Sequence, residues 1–161
     1  MTLSTHAAAA KAIRQELKKH GIKGRVIASS YSGGSSITVS TENLPPWVMK
    51  ELTAFANQFQ YGYFDGMTDS YVYSNISELP QVTYVFVENS FSDTAKESAY
   101  SYLINNWGGF EDYPETFAEA VAIHGYDIRD EIHQILTGAS DSCCSTGCTK
   151  YWNKPRVRLA A

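Results

Sequence analysis

Two aspartates, Asp65 and Asp69, stand four residues apart in the stretch FDGMTDSYVY, Phe64 to Tyr73, with Gly66 between them. With Glu88, Glu111 and Asp112 drawn in from elsewhere, they could offer carboxylate oxygens to a hard cation such as magnesium or calcium. The calcium-loop pattern needs oxygen ligands at alternate positions and a distal glutamate, and the sequence lacks it. An aspartate before a glycine also bonds its own backbone and sets a turn, which is the favoured role for Asp65.

A second stretch, YSGGSS from Tyr31 to Ser36, could cradle a phosphate through backbone N–H groups, with Ser32, Ser35 and Ser36 adding hydroxyls. Phosphate loops lead into a helix N-terminus, whereas this one leads into a β-rich run, Ser36 to Ser40. A hairpin turn is the favoured reading, with Gly33 and Gly34 supplying the backbone freedom.

Three cysteines, Cys143, Cys144 and Cys148, could join His133 or His124 as tetrahedral zinc ligands. Their C-C-x3-C spacing does not fit paired knuckles, and free thiols in a reducing compartment are the plainer reading. Nucleophilic catalysis would need a serine or cysteine beside a histidine and an orienting acid. The four histidines, His6, His20, His124 and His133, fall in no such motif, and no Gly-x-Ser-x-Gly, His-Glu-x-x-His or dinucleotide fingerprint occurs. The expectation is a protein that is not an enzyme, with no metal and no cofactor.

Charge is the stronger signal. The net value of −4 hides three segments: residues 1–60 carry seven basic and three acidic side chains, residues 61–141 two against fourteen, and residues 142–161 four basic and none acidic. Such segmentation points to a charged partner. In one reading the acidic stretch, Glu111, Asp112, Glu115, Glu119, Asp127, Asp130 and Glu131, docks on a basic groove of a host protein, with Trp107, Phe110 and Tyr113 as anchors. In the other, Lys11, Arg14, Lys18 and Lys19, with Lys23, Arg25 and the tail residues Lys150, Lys154, Arg156 and Arg158, contact nucleic-acid phosphates.

These residues must be positioned by elements the periodicity predicts. Ala9, Ile13 and Leu17 recur at helical spacing within Ala7 to His20, and Gly21 stops that helix. Two β-rich runs, GRVIASSY and SSITVST, flank the glycine turn. A second helix places Val48, Leu52, Phe55 and Phe59 on one stripe behind a proline at its first turn. YVYSN reads as a short strand, and VTYVFVE as a strand buried on both faces. Three further helices follow: one from Asp93 to Trp107, one opened by Pro114, and one capped by Asp127 or a neighbour, with Ile128, Ile132, Ile135 and Leu136 inward. The fold class is α+β: an antiparallel sheet of about four strands in α-β-β-α-β-β order, with a helical C-terminal third. Residues 1–80 form the α+β unit, residues 81–140 complete the same domain, and residues 141–161 are a cysteine-containing basic tail. No apolar run has the eighteen or so residues of a membrane span, so a cytoplasmic location in a bacterial host is expected.

Taken in order, AAAAKAIRQELKKHGIKGRVIASSYSGGSSITVS and FQYGYFDGMTDSYVYSN resemble the large polyvalent protein-associated domain numbered twenty-nine in its series. The likeness covers Ala7 to Asn75, and its motif loops are Tyr31, Ser32, Gly33, Gly34 and Ser35, then Asp65, Gly66, Met67 and Asp69. The resemblance implies a setting in phage or conjugative-element proteins that help an invading genome establish itself, and it carries no catalytic residues. The expected function is a mobile-element accessory protein, a non-enzymatic counter-defence inhibitor of anti-CRISPR or anti-restriction type that binds a host nucleic-acid-targeting defence protein. Direct DNA or RNA binding is the alternative, and a metal-dependent hydrolase built on Asp65 and Asp69 is the third.

Overall fold

The computed structural model describes residues 4–73, 76–106 and 114–138. The chain divides into two compact units, one ending at Ser90 and the other beginning at Phe91.

In the first unit, α1 (Thr5–Lys19) buries Ala9, Ala10, Ile13 and Leu17, the stripe its spacing predicts. It ends where Gly21 takes a left-handed φ of +66°, which lets Ile22 N–H reach the Leu17 carbonyl at 2.9 Å and Gly21 N–H that of Lys18 at 3.1 Å. Two carbonyls of the last turn are thereby satisfied. Strands β1 (Gly24–Tyr31) and β2 (Gly34–Glu42) then pair antiparallel, with Tyr31 opposite Gly34 across a two-residue turn. Within it Gly33 holds φ +96°, which side chains rarely tolerate.

Helix α2 (Pro46–Asn57) buries Val48, Leu52 and Ala56, with its proline in the first turn where no helical N–H is needed. Because α2 carries the chain back across the sheet, β5 (Tyr84–Ser90) pairs with β2 in parallel, Ile37 against Val85 and Val39 against Val87. The sheet order is β1-β2-β5. Its register is pinned at one end by Asn89, whose Oδ1 accepts from Leu44 N–H at 3.1 Å and from the Thr41 hydroxyl at 3.2 Å, while its Nδ2 donates to the Leu44 carbonyl. Between α2 and β5, β3 (Gly62–Asp65) and β4 (Ser70–Tyr73) form a separate hairpin.

The α+β class and the helical C-terminal part agree with the expectation. Among the described residues the strands are five, in a mixed three-stranded sheet and a two-stranded hairpin, because GYFD, expected as loop, is itself a strand.

One sheet face supplies the core: Val26, Ile37, Val39 and Val85 pack with Ile13 and Leu17 of α1 and with Leu52, Ala56 and Phe59 from α2 and its end. Ile37 and Leu52 are wholly buried, and each such side chain is worth about 1.5–3 kcal/mol of transfer free energy. The expectation that β5 is buried on both faces is corrected here. Val85 points into the core, but Tyr84 and Phe86 are 45% and 50% exposed, since both helices cover the same face and nothing in the unit's core covers the other.

The second unit packs α3 (Asp93–Asn106), α4 (Phe117–His124) and α5 (Tyr126–Thr137) around Ala99, Tyr100, Leu103, Ala120, Ile132 and Leu136. Tyr100 donates its hydroxyl to the Pro114 carbonyl at 2.7 Å, so the one large polar group of this core is satisfied. Helix α4 is capped twice: Thr116 Oγ1 accepts from Glu119 N–H, and the Glu97 carboxylate accepts from Phe117 N–H at 2.9 and 3.1 Å. Helix α5 buries Ile128, Ile132, Ile135 and Leu136 as its period predicts. It has no side-chain cap: Gly125 (φ +62°) occupies that position, and Asp127 sits inside the first turn instead, where its charge suits the helix dipole.

Candidate partner-binding surfaces

The Tyr31–Ser35 motif loop is a closed hairpin turn and not an open anion cradle. Ser35 N–H donates to Thr83 Oγ1 at 3.0 Å, and Thr83 N–H donates back to the Ser35 carbonyl at 3.1 Å. A Cβ on Gly34 would stand 2.8 Å from Thr83 Oγ1 and 3.1 Å from the Tyr31 ring, so this glycine is where a side chain and a neighbouring loop close over the backbone. Tyr31, at the end of β1, is exposed, as are Ser32 and Gly33 of the turn.

The second motif loop is also held by its own acid. Asp65 Oδ1 accepts from Met67 N–H at 2.9 Å and Oδ2 from the Thr68 hydroxyl at 3.0 Å. Those two bonds, the Met67 amide first, hold the Asp65 carboxyl below the usual carboxylate range. Asp69, on the far side of Gly66 and Met67, closes the loop in a left-handed conformation (φ +49°) that aspartate tolerates better than most residues. Both oxygens of Asp65 serve the turn. Among the described residues no group of three or more histidines, cysteines or acids is placed to hold a metal ion.

Around that turn the hairpin has two characters. Tyr71 and Tyr73 share one face with Gly62, and their rings gather with Tyr61 at centroid distances of 5.0–6.1 Å. Gly62 is required there, because a Cβ would run into the Tyr71 ring and lie 2.5 Å from the Val72 carbonyl. Burial, and then the neighbouring Tyr61, push the Tyr71 phenol above its ordinary value. At the tip, Met67 is 97% exposed and Phe64 is exposed too, so neither is a core anchor; with Tyr63 they form an apolar finger.

The basic residues of α1 are divided in use. Arg14 donates to the Val26 carbonyl at 2.7 Å, tying α1 to β1, and Lys19 lies 3.7 Å from Glu16. Lys11 and Lys18 stay exposed, and Arg14, Lys18 and Lys23 make a shallow groove at the end of α1 basic. This helix packs on the core face of the sheet, so its lysines lie on the side away from the aromatic pair Tyr84 and Phe86, which stack at 6.1 Å with 20° between their planes.

In the second unit the expected acids do come to the surface. Glu115, Glu119, Asp127 and Asp130 are exposed and Glu131 is partly so. On α5 the 3.6-residue period sets Asp127, Asp130 and Glu131 on one flank. Partial burial first, then the charges of Asp127 and Asp130, raise the Glu131 carboxyl above its usual value. Beside this flank stands Tyr126, 84% exposed, and on the last turn of α4 Ile123, 67% exposed. Neither is marked by the sequence, because no charge run or motif includes them and helical periodicity alone does not separate an exposed apolar side chain from a buried one. The anchors that are marked, Trp107, Phe110 and Tyr113, together with Glu111 and Asp112, lie outside the described residues, as do Cys143, Cys144, Cys148, Lys150, Lys154, Arg156 and Arg158. Among the described residues no helix is long and apolar enough to cross a membrane.

Residues 4–92 match the family described as large polyvalent protein associated domain 29. That is more than half of the chain, and the chain belongs to this family of phage- and mobile-element-associated domains. The match runs past the Ala7 to Asn75 likeness to take in β5, and so spans the described part of the first unit. No curated protein and no solved structure matches the chain.

Proposed function

We propose that this mobile-element protein is a non-enzymatic counter-defence inhibitor, of anti-CRISPR or anti-restriction type, whose second unit docks on the basic nucleic-acid groove of a host defence protein. The observation that carries this reading is the α5 flank of Asp127, Asp130 and Glu131 beside exposed Tyr126. Three carboxylates within two turns repel one another, which adds to the effect of burial in raising the Glu131 carboxyl, and a cationic partner surface would relieve that repulsion. An exposed tyrosine next to them suits an interface anchor, being large, rigid and polar only at its tip. Two of the cations on α1 are also held within the first unit, Arg14 by the Val26 carbonyl and Lys19 beside Glu16, which leaves them less free to reach a phosphate backbone.

A second reading, direct binding of single-stranded nucleic acid, has one observation in its favour: the stacked and exposed Tyr84 and Phe86 on the sheet face that α1 and α2 do not cover. The two readings separate in a plasmid-establishment experiment in restricting bacteria. Expression of the chain is expected to raise recovery of an unmodified plasmid, while the purified protein leaves a DNA or RNA fragment unshifted at physiological salt. A steeply salt-dependent shift would instead favour nucleic acid as the partner.

A further inference from the structure

The second unit contains an open cleft of about 640 Å³ that no surface described above uses, lined by residues of all three of its helices. The apolar part of its wall is made by Phe91, Phe117, Val121, Ile132 and Leu136. The volume and lining are those of a site for a small organic molecule.

The rim is where the charge pattern becomes specific. Residues 61–141 hold fourteen acids and only two bases, Lys96 and Arg129, and both bases line this one cavity, together with His133. Helix α5 brings this about by its period: the acids occupy one flank, and Arg129 and His133, four residues apart, occupy the other. Two acids also line the cavity, and each is already engaged. Asp93 pairs with Lys96 at 2.9 Å, and Glu97 caps α4 through Phe117 N–H. The Arg129 guanidinium has no hydrogen bond or ion pair among the described residues. The rim therefore presents one unanswered guanidinium above an apolar wall.

We infer that this cavity binds an amphipathic organic monoanion, an apolar chain or ring bearing a single carboxylate, with the carboxylate on Arg129 and the apolar body against Phe91, Phe117 and Val121. A guanidinium offers a planar, two-pronged donor set that matches a carboxylate better than an ammonium does. His133, whose ring stands edge-on to Phe91 with centroids 6.3 Å apart, lines the cleft beside that apolar wall. The inference does not depend on the counter-defence reading.

The test is titration of the full chain with decanoate and with decan-1-ol, followed by calorimetry and by amide chemical shifts. Saturable decanoate binding is expected, with shifts confined to Phe91–Glu97, Phe117–Val121 and Arg129–Leu136. Arg129→Gln is expected to weaken decanoate about tenfold, as loss of a charge-assisted hydrogen bond does, and to leave decan-1-ol unchanged. Ala118→Trp, placed on the exposed lip of the cavity, is expected to abolish binding of both while the helical circular dichroism stays intact. The inference is overturned by absence of saturable decanoate binding to a folded protein, by shifts that map elsewhere, or by equal binding to wild type and Arg129→Gln. It is overturned equally if decanoate binds only after Glu111→Gln and Asp112→Gln, because the cavity would then be filled by the chain's own acidic segment.

Discussion

Glu131 follows Asp127 by one helical turn on the same flank of α5, and its partial burial first, then the nearness of that aspartate, raise the Glu131 carboxyl above its ordinary value. Like charges four residues apart oppose a helix by a few tenths of a kcal/mol, so this flank is maintained at a cost to the unit that bears it.

Glu131→Gln is therefore expected to stabilise the second unit at neutral pH by a few tenths of a kcal/mol, measured by urea unfolding. The pH dependence has a fixed sign. An acid whose folded value lies above its unfolded one binds more protons when folded, so stability rises as pH falls from the folded value toward the ordinary glutamate value. Glu131→Gln should remove that rise.

Asp65 has the opposite sign. Its folded carboxyl lies below the usual range, so the loop order it contributes is present above the unfolded value and is lost as pH falls through the folded one. Asp65→Ala is expected to speed hydrogen exchange at the Met67 amide while leaving the sheet amides protected. Loss of sheet protection as well would show a larger role for this carboxylate than setting the turn.

Gly62→Ala is expected to destabilise the first unit by about 1–3 kcal/mol, the usual effect of forcing atoms into a packed site. The new methyl group meets the Tyr71 ring and the Val72 carbonyl, both fixed by the hairpin. Thermal unfolding followed by near-ultraviolet circular dichroism would read both the loss of stability and the disturbance of the tyrosine cluster.

The cap that Glu97 gives α4 makes a different prediction. Glu97→Ala leaves Phe117 N–H without its acceptor and is expected to cost about 1 kcal/mol, with faster exchange at the first amides of α4. Equal protection in the variant would mean that Thr116 alone caps the helix.

The helices were legible in the sequence because each has a single apolar stripe: Ala9, Ile13 and Leu17 in α1, and Ile128, Ile132, Ile135 and Leu136 in α5, are all buried. Strand β5 was misread because its two faces are both apolar. Val85 and Val87 alternate with Tyr84 and Phe86, and period-2 patterning cannot say which pair meets the core when neither is polar. Likewise the parallel pairing of β2 with β5 depends on how α2 crosses the sheet, a long-range relation that local propensity does not encode. The acids of the candidate surface were legible as a charge run. Tyr126 and Ile123 were not, since exposure follows from where α4 and α5 turn at Gly125.

The most direct test of the account is the recovery of an unmodified plasmid in restricting bacteria that express either the wild-type chain or Asp127→Lys/Asp130→Lys/Glu131→Lys, with folding of both checked by circular dichroism. The account predicts raised recovery with the wild type and recovery at the level of the empty control with the charge-reversed chain. Equal protection by both chains, or no protection by a folded wild type against any restriction or CRISPR system tried, would contradict it.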